Sequence, residues 1–299
     1  QAEEGPKGTE EAQRRFTHIV PMHEGEGGAK TPFFLVAGMF GNVLNLRHLA
    51  LLVGRKRPVY GLQARGLIGD EPPHTSLKEA ACDYLAEIRK IQPEGPYLLG
   101  GYSGGGITAY EMARQLKEAG QDTALIAMID TPLPVRPPLS RKDRLLIKLQ
   151  EFKDKGPHFL SEWIRTRIYW EIEKRKPQHA EAGVADFDNE KMETAFRTAI
   201  AAYQAQPWQG TVALFRPPLD RRWQVSDGNW VSTEREYVFD DNNWRRYAPD
   251  TQVCEVPGDH NSMVLVPNVA VLAEALKDAL DAAERAPAAS PAAHIQAAE

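Results

Sequence analysis

"GPYLLGGYSGGGITAYEMARQL", Gly95 to Leu116, sets one serine, Ser103, among the five glycines of "GGYSGGG" (100–106), directly after an apolar run. Gly101-Tyr102-Ser103-Gly104-Gly105 matches G-x-S-x-G, with a strand pattern before it and a helix pattern after it. In such an elbow the central residue takes a strained backbone conformation. Its neighbours two positions away must be small, because strand and helix close on each other there. The hydroxyl then projects from the carboxyl end of the sheet, where open α/β folds bind ligands. The following helix adds a partial positive charge beneath it. A flexible turn with an incidental serine would not need these flanks.

Outward from the elbow, further apolar runs read as strands: "FFLVA" (33–37), "PVYGL" (58–62), "ALIAMI" (124–129), "VALFR" (212–216) and "VCEV" (253–256). The central ones are continuously apolar, as parallel strands covered on both faces require. Helical patterns separate them. One starts at Ser76 with Glu79 in the capping-box position, one follows the elbow and stops at Gly120, and one (268–280) follows Pro267. This alternation predicts an α/β fold with a mostly parallel sheet and helices on both faces. Residues 135–205 break the rhythm with three helical patterns and no strand, which predicts a helical insertion on a core of residues 23–134 and 206–280. Arg136 to Lys176 carries twelve Lys/Arg against six Asp/Glu. A solvated helix face accounts for such charge, and docking of an acidic partner is the alternative.

Net charge is −5, which excludes a generally basic nucleic-acid binder. No apolar run reaches spanning length and no cationic-then-apolar signal opens the sequence, so the expected location is cytoplasmic. The two cysteines, Cys82 and Cys254, fit no metal or disulfide framework and are expected to be packed core thiols. Residues 1–22 read as a linker-like segment, and the Ala/Pro-rich 281–299 as a disordered tail.

A serine hydroxyl needs a base to act as a nucleophile. The elbow order is Ser, acid, His, and His260 in "VPGDHNSMVLVP" follows the last strand and precedes the last helix, where that order needs it. The other seven histidines precede the serine, lie in the insertion, or lie in the tail. Two carboxylates compete for the acid. Asp130 ends the strand after the elbow helix; Asp220 lies several residues beyond the next strand, after two prolines. Position at the strand end favours Asp130. Asp259 is expected to shape the loop.

Three blocks in this order resemble the type I thioesterase domains of polyketide synthases and nonribosomal peptide synthetases, members of the α/β-hydrolase superfamily. They are "PVYGLQARGL" (58–67), the elbow block, and "EVPGDHNSMVLVPNVAVLAEAL" (255–276). The resemblance covers about Phe33 to Leu280, and it implies a domain over 23–280 with residues 135–205 as its lid. It also places nucleophile, acid and base on Ser103, Asp130 and His260, with the oxyanion hole on the backbone N–H groups of Gly104 and Met39. The loop "VAGMFG" departs from a common His- or Pro-containing version and offers Ala37-Gly38 instead. The implied activity is release of an acyl, polyketide or peptidyl chain from the phosphopantetheine thioester of a carrier protein, most simply by hydrolysis. No metal or dissociable cofactor is required, because the arm belongs to an acyl or peptidyl carrier domain in the same polypeptide. Macrocyclising release, a free-standing serine esterase and a type II editing thioesterase are the alternatives.

Overall fold

The computed structural model describes residues 18–26, 30–68, 71–156 and 184–285. Seven strands form one sheet; β1 (Ile19–His23) lies at one edge, and the order is β1-β3-β2-β4-β5-β6-β10. The parallel strands are β2 (Phe33–Val36), β3 (Val59–Leu62), β4 (Tyr97–Tyr102), β5 (Thr123–Ile129), β6 (Val212–Arg216) and β10 (Gln252–Glu255). Every residue of β2, β4 and β6 is buried, as their continuous apolar character predicts. This is the α/β architecture expected from the sequence.

Helices α2 (Leu77–Ile88) and α3 (Gly105–Glu118) cover one face, and α1 (Arg47–Gly54) and α6 (Val269–Arg285) the other. Ala80, Tyr84, Ile88, Ile107 and Met112 meet Leu99 and Ile126 on the first face. Leu49, Val53, Leu272 and Leu276 meet Phe33 and Leu125 on the second. Ser76 caps α2 by accepting from the Glu79 N–H, while the Glu79 carboxylate turns instead to Arg65. Gly120 ends the α3 segment at a φ of +71°.

Four expectations change. The segment 1–22, taken as a linker, contributes β1 (Ile19–His23), which pairs antiparallel with β3 at the sheet edge. A proline at position 21 and a polar end hid it, both of which an edge strand tolerates. At the other end, α6 runs to Arg285, so the tail cannot begin at 281. Asp281 and Glu284 hold that last turn by bonding the buried Arg57 guanidinium at 2.5 and 3.3 Å. Cys82 is exposed, because α2 buries Ala80, Ala81 and Tyr84 and turns position 82 outward. Cys254 is half-buried on β10. Finally, residues 223–238 form an unforeseen small sheet, β7 (Trp223–Gln224), β8 (Trp230–Val231) and β9 (Tyr237–Val238).

Within 135–205 the structure describes two helices, α4 (Arg141–Lys155) and α5 (Val184–Ala202). The helical pattern at 159–175, with its aromatics, lies outside the described residues. Ile147 of α4 packs on Trp223, Val225 and Val231 of the small sheet. Asp143 joins the two units: its carboxylate accepts from Ser140 Oγ, Ser226 N–H and Tyr237 OH at 2.6, 3.0 and 2.5 Å. Helix α5 instead lies on the main core, where Ala199 and Tyr203 join the cluster around α3.

Candidate active site

The elbow forms where β4 gives way to α3. Ser103 has a φ of +52°, a left-handed conformation rare for a residue with a side chain. Its N–H donates to Ile129 O at 2.7 Å, extending the β4–β5 ladder past the strand end. A Cβ on Gly101 would lie 2.1 Å from the Gly105 carbonyl carbon, so any larger residue forces strand and helix apart. Gly105 is pressed in turn against the β2 loop, where its Cβ would meet Ala37 O at 2.3 Å. The elbow is thus wedged between two backbones.

Gly104 occupies the N-cap of α3. Amide groups at that end have no partner within the helix, and the helix dipole favours negative charge near them. Met39 lies in the loop after β2, which closes through Gly41 N–H to Gly38 O at 2.8 Å. Phe196 of α5 lies over Gly104, its ring 2.3 Å from where a Cβ would stand. Met39, Met192, Phe196 and Thr108 line a small apolar cavity of about 30 Å³ beside the elbow.

Asp130 follows β5 directly and also takes a positive φ, +43°. Its N–H donates to Phe215 O at 2.7 Å, and its Oδ2 meets His260 Nδ1 at 2.6 Å. His260 sits after β10, in a loop tied by Asp259, whose Oδ1 accepts the N–H groups of Asn261 and Ser262 at 2.9 and 2.8 Å. Those bonds hold the Asp259 carboxyl below its ordinary range. With Nδ1 engaged by the carboxylate, Nε2 is the ring nitrogen left for proton exchange. Asp220, the competing carboxylate, is spent on Thr233: it accepts that residue's N–H at 2.7 Å and also its hydroxyl.

Two residues that sequence reasoning missed support this pair. Asn242 Nδ2 donates to Thr131 O at 3.2 Å and lies 3.4 Å from Asp130 Oδ1, while Trp244 Nε1 donates to Thr131 O at 2.9 Å. Asn242 and Asn243 both have positive φ, and the run "DDNN" (240–243) was the available signal, since Asn favours such turns. The second is Tyr102, inside the motif itself. Its hydroxyl donates to His260 O at 2.7 Å and its ring stacks on the imidazole.

A cleft of about 480 Å³ opens beside Asp130 and His260, walled by Leu133, Arg136, Tyr237 and Asn242. The Arg136 guanidinium is exposed on this wall and pairs with Glu236. Among the described residues one group has metal-ligand character, His18, His74 and Asp83, away from this cleft. Arg65 Nη1 stands 3.2 Å from the same Asp83 oxygen that meets His74 Nε2 at 2.8 Å, so a guanidinium already supplies the positive charge. His158, His179 and His294 lie outside the described residues. No helix among the described residues is long and apolar enough to cross a membrane.

The chain matches the thioesterase domain family over residues 34–280. It is 28% identical to malpinin synthetase of Mortierella alpina across 255 residues, which cover 85% of this chain and 3% of that protein's length. Among solved structures it is similar to the NocB thioesterase domain in covalent complex with a fluorophosphonate nocardicin G analogue. The TM-score is 0.57 at 24% identity, covering 84% of this chain and 95% of that one. It is similar as well to YbtT, a type II thioesterase from a yersiniabactin pathway, with TM-score 0.59 at 16% identity, covering 89% and 99%. At these identities the structural neighbours establish a common fold, and the family match extends from β2 to the middle of α6. The chain therefore belongs to the thioesterase domain family.

Proposed function

We propose that this domain releases an acyl chain from the phosphopantetheine thioester of a carrier domain, through an acyl-Ser103 intermediate. The observation that carries the reading is the 2.6 Å bond between His260 Nδ1 and Asp130 Oδ2, together with a serine at positive φ whose N–H bonds Ile129 O, one residue before Asp130.

His260 Nε2 takes the proton from Ser103 as its oxygen attacks the thioester carbonyl. Negative charge develops on the carbonyl oxygen, and the backbone N–H groups of Gly104 and Met39 are the donors assigned to it. The tetrahedral intermediate collapses, the thiolate leaves with the proton from His260, and an acyl-serine ester remains. Water, deprotonated by His260, then attacks the ester and releases a carboxylic acid. Asp130 holds the imidazole tautomer and stabilises its charged form throughout. The cleft beside His260 gives the acyl chain room, and Arg136 and Pro137 at the start of the helical insertion wall it. That the match covers only 3% of the length of malpinin synthetase supports a carrier domain in the same polypeptide as the partner.

Intact mass after treatment with a fluorophosphonate tests the nucleophile. One adduct, absent in Ser103→Ala, is expected; an adduct that persists in that variant overturns the assignment. Comparison of a carrier-bound acyl thioester with an oxygen ester of the same chain tests the substrate. Faster turnover of the oxygen ester would make the protein an esterase.

A further inference from the structure

Tyr102 occupies the variable second position of the elbow motif, yet it contacts both the main chain and the ring of His260. Its ring lies 5.2 Å from the imidazole, centroid to centroid, and tilted by only 21°, so the two planes stack. Its hydroxyl donates to the main-chain carbonyl of His260 at 2.7 Å. The ring is also met by the loop after β2, where a Cβ on Gly38 would stand 3.2 Å from Tyr102 Cδ1. Gly38, without a side chain, leaves the space the phenol fills. His260 needs such support, because its side chain remains 43% exposed even with Nδ1 bonded to Asp130. One hydrogen bond at Nδ1 leaves the ring free to tilt about that bond. A flat aromatic surface under it removes that freedom.

Resting on the function proposed above, we infer that Tyr102 is a positioning residue that holds the catalytic base. It fixes the His260 main chain through its hydroxyl and the imidazole plane through its ring. Because Tyr102 and Ser103 are consecutive, nucleophile and base are then indexed to one point at the end of β4. Burial, with Asp130 and Asp259 nearby, pushes the phenol up to about 12, so the hydroxyl stays a donor at any working pH. The charged groups around His260 are Asp130 just after β5, Asp259 on its own loop and, lining the same cleft, Arg136, Arg216, Asp220, Glu234 and Glu236. Tyr102 adds no charge, so its effect is geometric.

The test separates the two contacts. Tyr102→Phe keeps the stack and loses the hydroxyl; Tyr102→Leu loses both. With an acyl-pantetheine substrate, kcat is expected to fall several-fold in the first variant and about a hundredfold in the second, with KM unchanged, the scale of a misplaced catalytic group. An independent readout is the low-field proton NMR signal of His260 Nδ1–H, which its short bond to a carboxylate shifts downfield. It is expected to persist in Tyr102→Phe and to broaden by solvent exchange in Tyr102→Leu. Circular dichroism reports folding, and if the Leu variant does not fold, the Phe variant decides alone through its kcat. Both variants within twofold of wild type, or a loss confined to KM, would overturn the inference. The proton signal does not require turnover, so it can fail independently of the fluorophosphonate test of Ser103.

Discussion

Ser103 and Asp130 repeat the same local construction one strand apart. Each directly follows a central parallel strand, each has positive φ (52° and 43°), and each donates its N–H at 2.7 Å across the sheet, to Ile129 O and Phe215 O. The ladder thus continues for one residue beyond the regular strands and holds two strained residues in place. Strain of this kind costs about 1–3 kcal/mol per residue and persists only where the surroundings over-determine it. Here the surroundings are the sheet itself.

That construction makes Asp130→Asn a clean substitution. Asn tolerates the left-handed region as well as Asp does, and the backbone bond to Phe215 is untouched. The variant is expected to fold normally and to lose about a thousandfold to ten-thousandfold in kcat, because the amide no longer stabilises the charged imidazole. Asp220→Asn should stay within a fewfold of wild type, since that carboxylate serves Thr233. Steady-state kinetics on both variants checks the pair. A larger loss at position 220 would reverse the assignment.

Strain at Ser103 predicts a trade between stability and activity. Ser103→Gly and Ser103→Ala both remove the hydroxyl and should both be inactive. Only glycine relieves the positive φ, so Ser103→Gly should be more stable than Ser103→Ala by about 1 kcal/mol. In a domain of this size that corresponds to roughly 2–4 °C in melting temperature. Differential scanning calorimetry of the two variants measures it, and equal melting temperatures would mean the elbow is not strained.

Two glycines separate close approach from backbone freedom. Gly101 has negative φ, yet its Cβ would stand 2.1 Å from backbone that cannot swing aside. Gly120 has φ +71° and open space around it. Gly120→Ala should cost about 1 kcal/mol, the penalty for a left-handed residue with a Cβ. Gly101→Ala should cost more, since β4 and α3 must move apart, and activity should fall with it. Urea denaturation with a labelling assay on the folded fraction distinguishes the two; comparable costs would contradict the wedge.

The parts of this arrangement visible in the sequence are those with a periodic or positional signature. Strands β2, β4, β5 and β6 read clearly because both faces are buried, which leaves unbroken apolar runs such as Leu125 to Ile129. Ser103, Asp130 and His260 stand out because strand ends and motif spacing single them out. Strand β1 was hidden by its proline and polar edge, and β7–β9 are two-residue strands, too short for any alternation to register. Tyr102 and Asn242 were missed for a different reason. Their partners, His260 and Asp130, lie 158 and 112 residues away, and nothing local to a tyrosine or an asparagine encodes such a distance.

Asp143 offers a pH test of how α4 is attached to the small sheet. Hydrogen bonds from Ser140, Ser226 and Tyr237 outweigh burial and hold its carboxyl well below the ordinary carboxylate range. A depressed folded value means the carboxylate contributes stability in full above its unfolded pKa, about 3.9. That contribution is lost as pH falls from there toward the folded value. Asp143→Asn removes it at every pH and turns an amide donor toward hydroxyls that are themselves donating. The variant should therefore melt below wild type by a constant margin between pH 6 and 7. Below pH 4 the margin should shrink, as wild type loses what the variant already lacks. Because every other titrating group is common to both proteins, the difference isolates Asp143. A margin that stays constant down to pH 3 would show that α4 is held to the small sheet by the packing of Ile147 on Trp223 and Val231, not by this carboxylate.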